Sequence, residues 1–432
     1  MKTIYIWGLL LTIPVMMYGK VKYVYSNFPN EFEIVDVNHS DTTTSISFCC
    51  HMMPGEVLSL PSSYCMIDAK GKKYDLLRCE GVRLGERNTC SLSEKIDFSL
   101  VFPATDSDTD FLDVVSLTTS NSAPYSVWGI CNNNSNTEFL YNVNKGRNEI
   151  DNTWFKKGHV LIKGKVIGNR TYDNIHRASV EAYPFTFGAT GVYRSDIAAD
   201  KTFEIDMTVE GPLWTNIELD HRCSVPVFLI PNDSLNLEIF IDDNNNVNVT
   251  RISQCNMPTM QGLMEIGLNF TPWEVYREVN SRKPSEYYEL AESCLSKYNT
   301  LATYLAWKYH LSRAESHLLR VSFNSLLFGC LINHFSSITH KLFPAKGMSS
   351  EKDSWKKWAN SQELKRAYSF LRLADFSDLS YFVVPYFLQE LRSSDILSRL
   401  IHGESVQDGF GRLENIIGQK IDIEWRMRMF PK

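Results

Sequence analysis

The sequence predicts a multidomain β + α protein: two consecutive antiparallel β-sandwich domains followed by an all-α helical region. Three observations carry this expectation. Apolar residues alternate with period two across two long stretches, roughly 20–130 and 153–252, and an Asn-rich segment separates them. After residue 270 the apolar period becomes helical. Alternation sends one set of side chains into a core and the other to solvent, the pattern of a half-buried antiparallel strand.

Residues 1–19, MKTIYIWGLLLTIPVMMYG, read as a secretory signal peptide. Lys2 supplies the positive start, Ile4 to Met17 the apolar run, and Gly19 a small residue at the cleavage point. The run is short for a spanning helix and polar chain follows it. No Cys lies near residues 17–21, so a lipoprotein anchor has no attachment point. No later stretch holds 18 consecutive apolar residues, so no transmembrane span is expected in the mature chain.

The first sandwich spans 20–130. Ile46, Phe48, Cys50 and Met52 alternate with Ser45, Ser47, Cys49 and His51, as Ile96, Phe98, Leu100 and Phe102 do with Asp97, Ser99 and Val101, and Pro54-Gly55 and Lys70-Gly71 mark turns. Residues 131–152 contain eight Asn and read as a linker. The second sandwich, 153–252, carries Phe203, Ile205, Met207 and Val209 in one strand and Leu235, Leu237, Ile239 and Ile241 in another. A second linker covers 253–270, and the helical region covers 271–432. Thr271-Pro272-Trp273-Glu274 is a capping box with Pro at the first helical position. Tyr288, Ala291, Leu295, Tyr298, Ala302, Leu305 and Tyr309 then mark one helix face, and Leu319, Phe323, Leu326 and Cys330 a second helix.

Composition narrows the function. With 44 Lys+Arg against 50 Asp+Glu the net charge is −6, which disfavours nucleic-acid binding because phosphate contacts need a basic stripe. Hydrophobic residues at 44% and charged residues at 22% are globular values, so wholesale disorder is not expected.

The chemical motifs are mostly missing. The ten cysteines include no CxxC pair; the closest spacing is Cys49-Cys50, whose side chains fall on opposite faces of a strand. Cys49, Cys50, Cys65, Cys79, Cys90 and Cys131 cluster in or beside the first sandwich as candidate disulfide formers, with connectivity open. Cys294 and Cys330 read as reduced core residues. There is no GxSxG, P-loop, GxGxxG or HExxH, and Gly409-Phe410-Gly411-Arg412 lacks the third Gly and preceding strand of a dinucleotide loop. His310/His317 and His334/His340 are spaced too widely to share a metal on one helix, so they read as surface or packed residues. Asp106, Asp108 and Asp110 resemble half a Ca²⁺ loop, but Phe111 and Leu117 stand where Gly and Glu are needed. A solvated turn is the simpler expectation there. No cofactor is expected. Trp128, Trp154, Trp214 and Trp273 lie near domain ends, where their rings either meet a partner or seal contacts between domains.

In this order of segments the chain resembles the non-catalytic front part of secreted TlpA/thioredoxin-like proteins of Bacteroides-type bacteria. The matching elements in the first sandwich are Pro54-Gly55, Gly71-Lys72-Lys73-Tyr74, Glu80-Gly81-Val82, the Phe98 to Phe102 strand with Pro103, and Trp128-Gly129-Ile130. In the second they are Lys163-Gly164-Lys165-Val166, Asp200-Lys201-Thr202-Phe203 and Pro231-Asn232-Asp233-Ser234-Leu235; that domain is similar to one of unknown function found ahead of thioredoxin modules. Phe370 to Leu373 and Pro385 to Leu388 resemble the helical segment between the two. Lys201 and Asn232 stand where the family has Gly in two turns. The sequence ends at Lys432, where the family's WCxxC-bearing thioredoxin domain would follow, so family redox activity has no residue to be carried onto.

The resulting expectation is an exported, non-enzymatic interaction protein of the bacterial cell envelope, periplasmic or extracellular. It meets a protein or glycan partner and not nucleic acid. Two alternatives stay open: a glycan- or peptide-binding β-sandwich protein, and the accessory half of a split envelope thiol–disulfide oxidoreductase. An enzyme would need convergent polar residues that spacing cannot reveal.

Overall fold

The computed structural model describes residues 21–28, 32–90, 95–106, 110–116, 125–131, 155–168, 175–182, 191–220, 223–241, 247–251, 275, 278–279, 281–311, 313–342, 361–383, 385–394, 396–397, 406–423 and 426. The chain divides into two compact units, 1–135 and 136–432. The expected linkers and the capping box at 271–274 lie outside the described residues, apart from Cys131.

The first unit holds strands β1 (Tyr25–Ser26), β2 (Phe32–His39), β3 (Thr43–His51), β4 (Val57–Ser59), β5 (Tyr64–Asp68), β6 (Lys73–Asp75), β7 (Arg78–Glu80), β8 (Arg87–Thr89), β9 (Lys95–Pro103), β10 (Phe111–Ser116) and β11 (Val127–Cys131). They form two sheets, β1-β11-β10-β5-β6 and β2-β3-β9-β7, with β4-β8 as a separate pair. One core joins the sheets: Ile46, Phe48, Phe98, Leu100 and Phe102 from one meet Tyr64, Met66, Leu112, Val114 and Ile130 from the other. Phe28, Phe32, Phe48 and Phe98 stack through it, with Phe28–Phe32 centroids 4.4 Å apart and Phe48–Phe98 4.9 Å apart. The expected alternation on β3 and β9 is what fills this core. The Lys70-Gly71 turn is held by buried Asp68, which accepts the backbone N–H of Lys70 and of Lys72 at 2.9 Å and the Tyr74 hydroxyl at 3.0 Å.

The second unit begins with strands β12 (Gly158–Gly168), β13 (Arg177–Ala182), β14 (Gly191–Asp196), β15 (Thr202–Val209), β16 (Leu213–Leu219), β17 (Cys223–Leu229), β18 (Ser234–Ile241) and β19 (Val247–Arg251). Its sheets are β15-β12-β18-β19 and β14-β13-β16-β17. One pairing departs from the all-antiparallel expectation: β12 and β18 run parallel. A parallel pair needs a long crossover, and here the strands between β12 and β18 supply it. Gly164 faces inward on β12 beside Phe203 of β15; a Cβ there would lie 2.1 Å from the Phe203 ring. Lys201 and Asn232 both adopt φ 66°, the left-handed turn conformation for which Gly is the easier residue.

Helices α1 (Tyr287–Lys308), α2 (Arg313–Leu342), α3 (Gln362–Ala367), α4 (Pro385–Ser393) and α5 (Val406–Ile417) follow, with short 3-10 segments before α1 and between α3 and α4. Helix α2 packs against α1 and α4. By length and hydropathy, Arg313–Phe335 could cross a membrane, but 72% of its most apolar window is buried within the fold, as in a core helix. The buried face of α1 is broader than the expected stripe and shifted from it: Tyr287, Leu290, Cys294, Leu301 and Tyr304 join Ala291, Tyr298, Ala302 and Leu305, while Tyr288, Leu295 and Tyr309 are half-buried. This helix packs chiefly on α2 and on the 3-10 turn at Ser369–Leu373, and also touches α3, so one narrow seam is not enough. Gly409 and Gly411 lie inside α5, and a Cβ on Gly409 would meet the Ile396 carbonyl at 2.6 Å. Close helix packing, and no phosphate loop, accounts for that glycine.

His317 Nε2 donates to Asp378 Oδ2 at 2.7 Å, and Asp378 also accepts the Ser380 N–H at 2.9 Å, which caps the Leu379–Phe382 turn. Burial alone would raise the Asp378 pKa, but the His317 and Ser380 interactions outweigh it and hold it below the ordinary value. A depressed folded pKa gives stability that is complete above the unfolded value and lost as pH falls through the folded one.

Two predictions follow from this packing. Gly164→Ala is expected to cost about 1–3 kcal/mol through overpacking, read as a lower urea midpoint, with part recovered by adding Phe203→Leu. The midpoint difference between the native chain and Asp378→Asn is expected to shrink as pH falls from about 5 towards 3; a constant difference over that range would contradict the assigned role.

Candidate functional site

Strand register builds the outer face of the β2-β3-β9-β7 sheet. With Phe48 and Phe98 turned inward, their neighbours Cys49 and Asp97 turn outward opposite one another, and Glu33 of β2 faces Cys49 from the other side. One step on, His51 faces Lys95. The Cys49 Sγ lies 3.7 Å from His51 Nε2, which is 3.9 Å from Glu33 Oε1, and Lys95 Nζ is 2.9 Å from Asp97 Oδ2.

By residue type this is a thiol, a base and a carboxylate in a row. The electrostatics run against thiolate chemistry. Burial pushes the Cys49 thiol up to about 11, and its bond to Asp97 and the Glu33 charge add to the shift, while Lys95 opposes it. Burial likewise carries Cys50, on the core side, up to about 12. A nucleophilic cysteine needs the opposite environment, with a cation or helix N-terminus stabilising the thiolate.

Beside this row lies an open depression of about 750 Å³, lined by Gly81, Val82, Arg83, Glu86, Arg87, Asn88, Thr89, Lys95, Ile96 and Asp97. Its wall is the turn between β7 and β8, bent by Gly81 (φ 90°) and Gly85 (φ 72°). Gly81 passes so close to β9 that a Cβ would lie 2.4 Å from the Asp97 carbonyl oxygen. Asn88 clasps the turn: its Oδ1 accepts the Arg83 N–H at 2.9 Å, and its Nδ2 is within reach of the carbonyls of Arg83 (2.9 Å), Glu86 (3.2 Å) and Leu58 (3.3 Å). Among the described residues that line it, three are cationic, Arg83, Arg87 and Lys95, and two are carboxylates, Glu86 and Asp97. A second depression, about 530 Å³ on the second sandwich, sets Lys163 and Lys165 among Asp196, Glu204 and Glu238, and Lys163 pairs with Glu204 at 3.1 Å. Its cations are outnumbered, so it offers less to an anion.

The residues singled out from sequence are placed as follows. Among the described residues no S–S bond joins Cys49, Cys50, Cys65, Cys79, Cys90 or Cys131. Cys49 and Cys50 are neighbours on β3, Cys65 lies on β5, Cys79 on β7, Cys90 just after β8 and Cys131 at the end of β11. Trp128 is 5% exposed with its ring 5.5 Å from Tyr25, and half-buried Trp214 meets Phe228 edge-on at 6.2 Å. Trp128 is therefore a packing residue, and not a ring displayed to a partner. Trp154 and Trp273 lie outside the described residues. Asp106 pairs with Lys70 at 3.6 Å and Asp110 is exposed, while Asp108 lies outside the described residues. Among the described residues no three His, Cys, Asp or Glu side chains group to hold a metal. Arg83, Arg87, Asn88 and Lys95 carry no motif that marks them in the sequence. The available signal was a two-glycine turn carrying two arginines, GVRLGER, between short strands.

Fold and site together define a two-sandwich protein with a helical region, bearing an open polar depression on its N-terminal sandwich. No family profile and no curated protein sequence matches the chain. Among solved structures it is similar to the Bacillus anthracis TIE protein, at 11% identity and a TM-score of 0.15, over 51% of this chain and 39% of that one.

The electrostatics generate a prediction. With its pKa near 11, Cys49 is expected to react with iodoacetamide slowly at pH 7.5 and faster as pH rises toward that value. Peptide mass spectrometry against an unfolded control checks this; alkylation at neutral pH as fast as in the control would refute it.

Proposed function

We propose that this chain is an exported, non-enzymatic interaction protein of the bacterial cell envelope, akin to the accessory front part of TlpA/thioredoxin-like proteins. The observation that carries the reading is the depression bounded by the Gly81–Gly85 turn, with its arginines on a backbone clasped by Asn88. Binding needs polar groups displayed on a rigid frame, because ordering a loose loop costs affinity. Disulfide exchange needs a stabilised thiolate, and the thiol beside this depression is driven toward its protonated form. The signal-like residues 1–19 support export. Among the described lining residues cations outnumber carboxylates, which favours an anionic partner, and a glycan-binding role is the form of interaction taken up below.

Insulin reduction tests the proposal against the split-oxidoreductase alternative. The chain from residue 20 onward, added to insulin with dithiothreitol, is expected to leave the precipitation rate at that of dithiothreitol alone. Acceleration that disappears in Cys49→Ser would overturn the non-enzymatic reading.

A further inference from the structure

We infer that the depression on the N-terminal sandwich binds an acidic polysaccharide, one bearing uronate carboxylates or sulfate esters; this rests on the interaction reading above and names its ligand class. Three cationic residues line the depression from different backbone segments: Arg83 in the turn after β7, Arg87 on β8, and Lys95 at the start of β9. Lys95 is held by Asp97 at 2.9 Å. The two arginines are the available groups. Arg87 makes no ion pair among the described residues. Arg83 meets Glu86 only at 3.5 Å, with side chains 80% and 60% exposed. Such a surface pair contributes little, so an incoming anion displaces it at small cost. Guanidinium groups present paired N–H donors that match a carboxylate or sulfate, and the Asn88 clasp fixes the backbone at Arg83 while β8 fixes it at Arg87.

The lining favours a saccharide over a peptide. Specific peptide binding relies on apolar anchors seated in pockets, and only Val82 and Ile96 among the lining residues are large and apolar. The rest of the wall offers charged groups, a hydroxyl and backbone. These suit a hydroxyl-rich chain whose binding is spread over repeated charges. The volume of about 750 Å³ falls among ordinary ligand sites.

The test is biolayer interferometry on the chain from residue 20 onward, with oligogalacturonate, dextran sulfate, neutral dextran and polyglutamate as probes. At least one of the two anionic glycans is expected to bind, more weakly as salt rises. Binding of oligogalacturonate alone identifies carboxylate as the recognised group, and of dextran sulfate alone, sulfate. Arg83→Ala and Arg87→Ala are each expected to weaken binding about tenfold, the loss of one charge-assisted hydrogen bond, with an unchanged thermal midpoint. Glu86→Gln is expected to tighten it. Lys163→Ala with Lys165→Ala, on the second sandwich, is expected to change nothing. The inference is overturned if neither glycan binds, if neutral dextran binds equally, or if both arginine variants bind as before. It is also overturned if the Lys163/Lys165 variant loses as much as the arginine variants, or if polyglutamate binds as tightly with the same arginine dependence. Failure here with unaccelerated insulin precipitation removes the ligand class and leaves the interaction reading standing.

Discussion

Phe48 and Phe98 face each other across β3 and β9 at 4.9 Å, and this register fixes the chemistry on the other side of the sheet. Side chains on a strand alternate, so a slip of one residue would turn Cys49 and Asp97 into the core and the phenylalanines into solvent. The aromatic stack makes that slip prohibitive. Glu33, Cys49 and Asp97 are therefore aligned as a consequence of how the core closes, and Lys95 and Asp97 reach the depression because β9 is pinned there. The β9 side of the depression is thus placed by hydrophobic burial on the opposite face of the sheet.

How much of this was legible in the sequence depends on how many faces of each element meet a core. Strands β3, β9, β15 and β18 each bury mainly one face, and their period-two patterns revealed them. Strands β5 and β10 are buried at every position, so no alternation was there to be read and neither was singled out. The parallel β12–β18 pair was hidden for another reason. Alternation reports which side of a strand is covered and says nothing about the direction of its neighbour. On α1 the apolar spacing located the helix, but more than one packing partner widened the buried face past the stripe that spacing implied.

The candidate site was less legible than the fold because its residues are ordinary one at a time. Arg83, Arg87 and Lys95 are surface cations of the kind that every soluble chain carries. They are brought together by two glycines in left-handed conformations and by the four hydrogen-bonding reaches of Asn88. Glycines and an asparagine in a turn are easily read as a turn and nothing more. What the turn displays becomes apparent only when β9 runs alongside it.

The cysteines show why residue type alone misleads. Cys49 has a histidine and two carboxylates within reach, yet each carboxylate disfavours its thiolate, and burial does so more strongly still. The other cysteines in the first unit with a displaced pKa, Cys50, Cys79 and Cys131, are all raised chiefly by burial. A sandwich core shelters thiols and offers no helix N-terminus to draw a proton off them. The same architecture leaves cationic side chains on the turns at the ends of its strands, where water and ligands reach them. Reactivity and recognition are thus separated by the fold: thiols sit with the strands, and the groups able to hold an anion sit on the turn between β7 and β8 and the strands beside it.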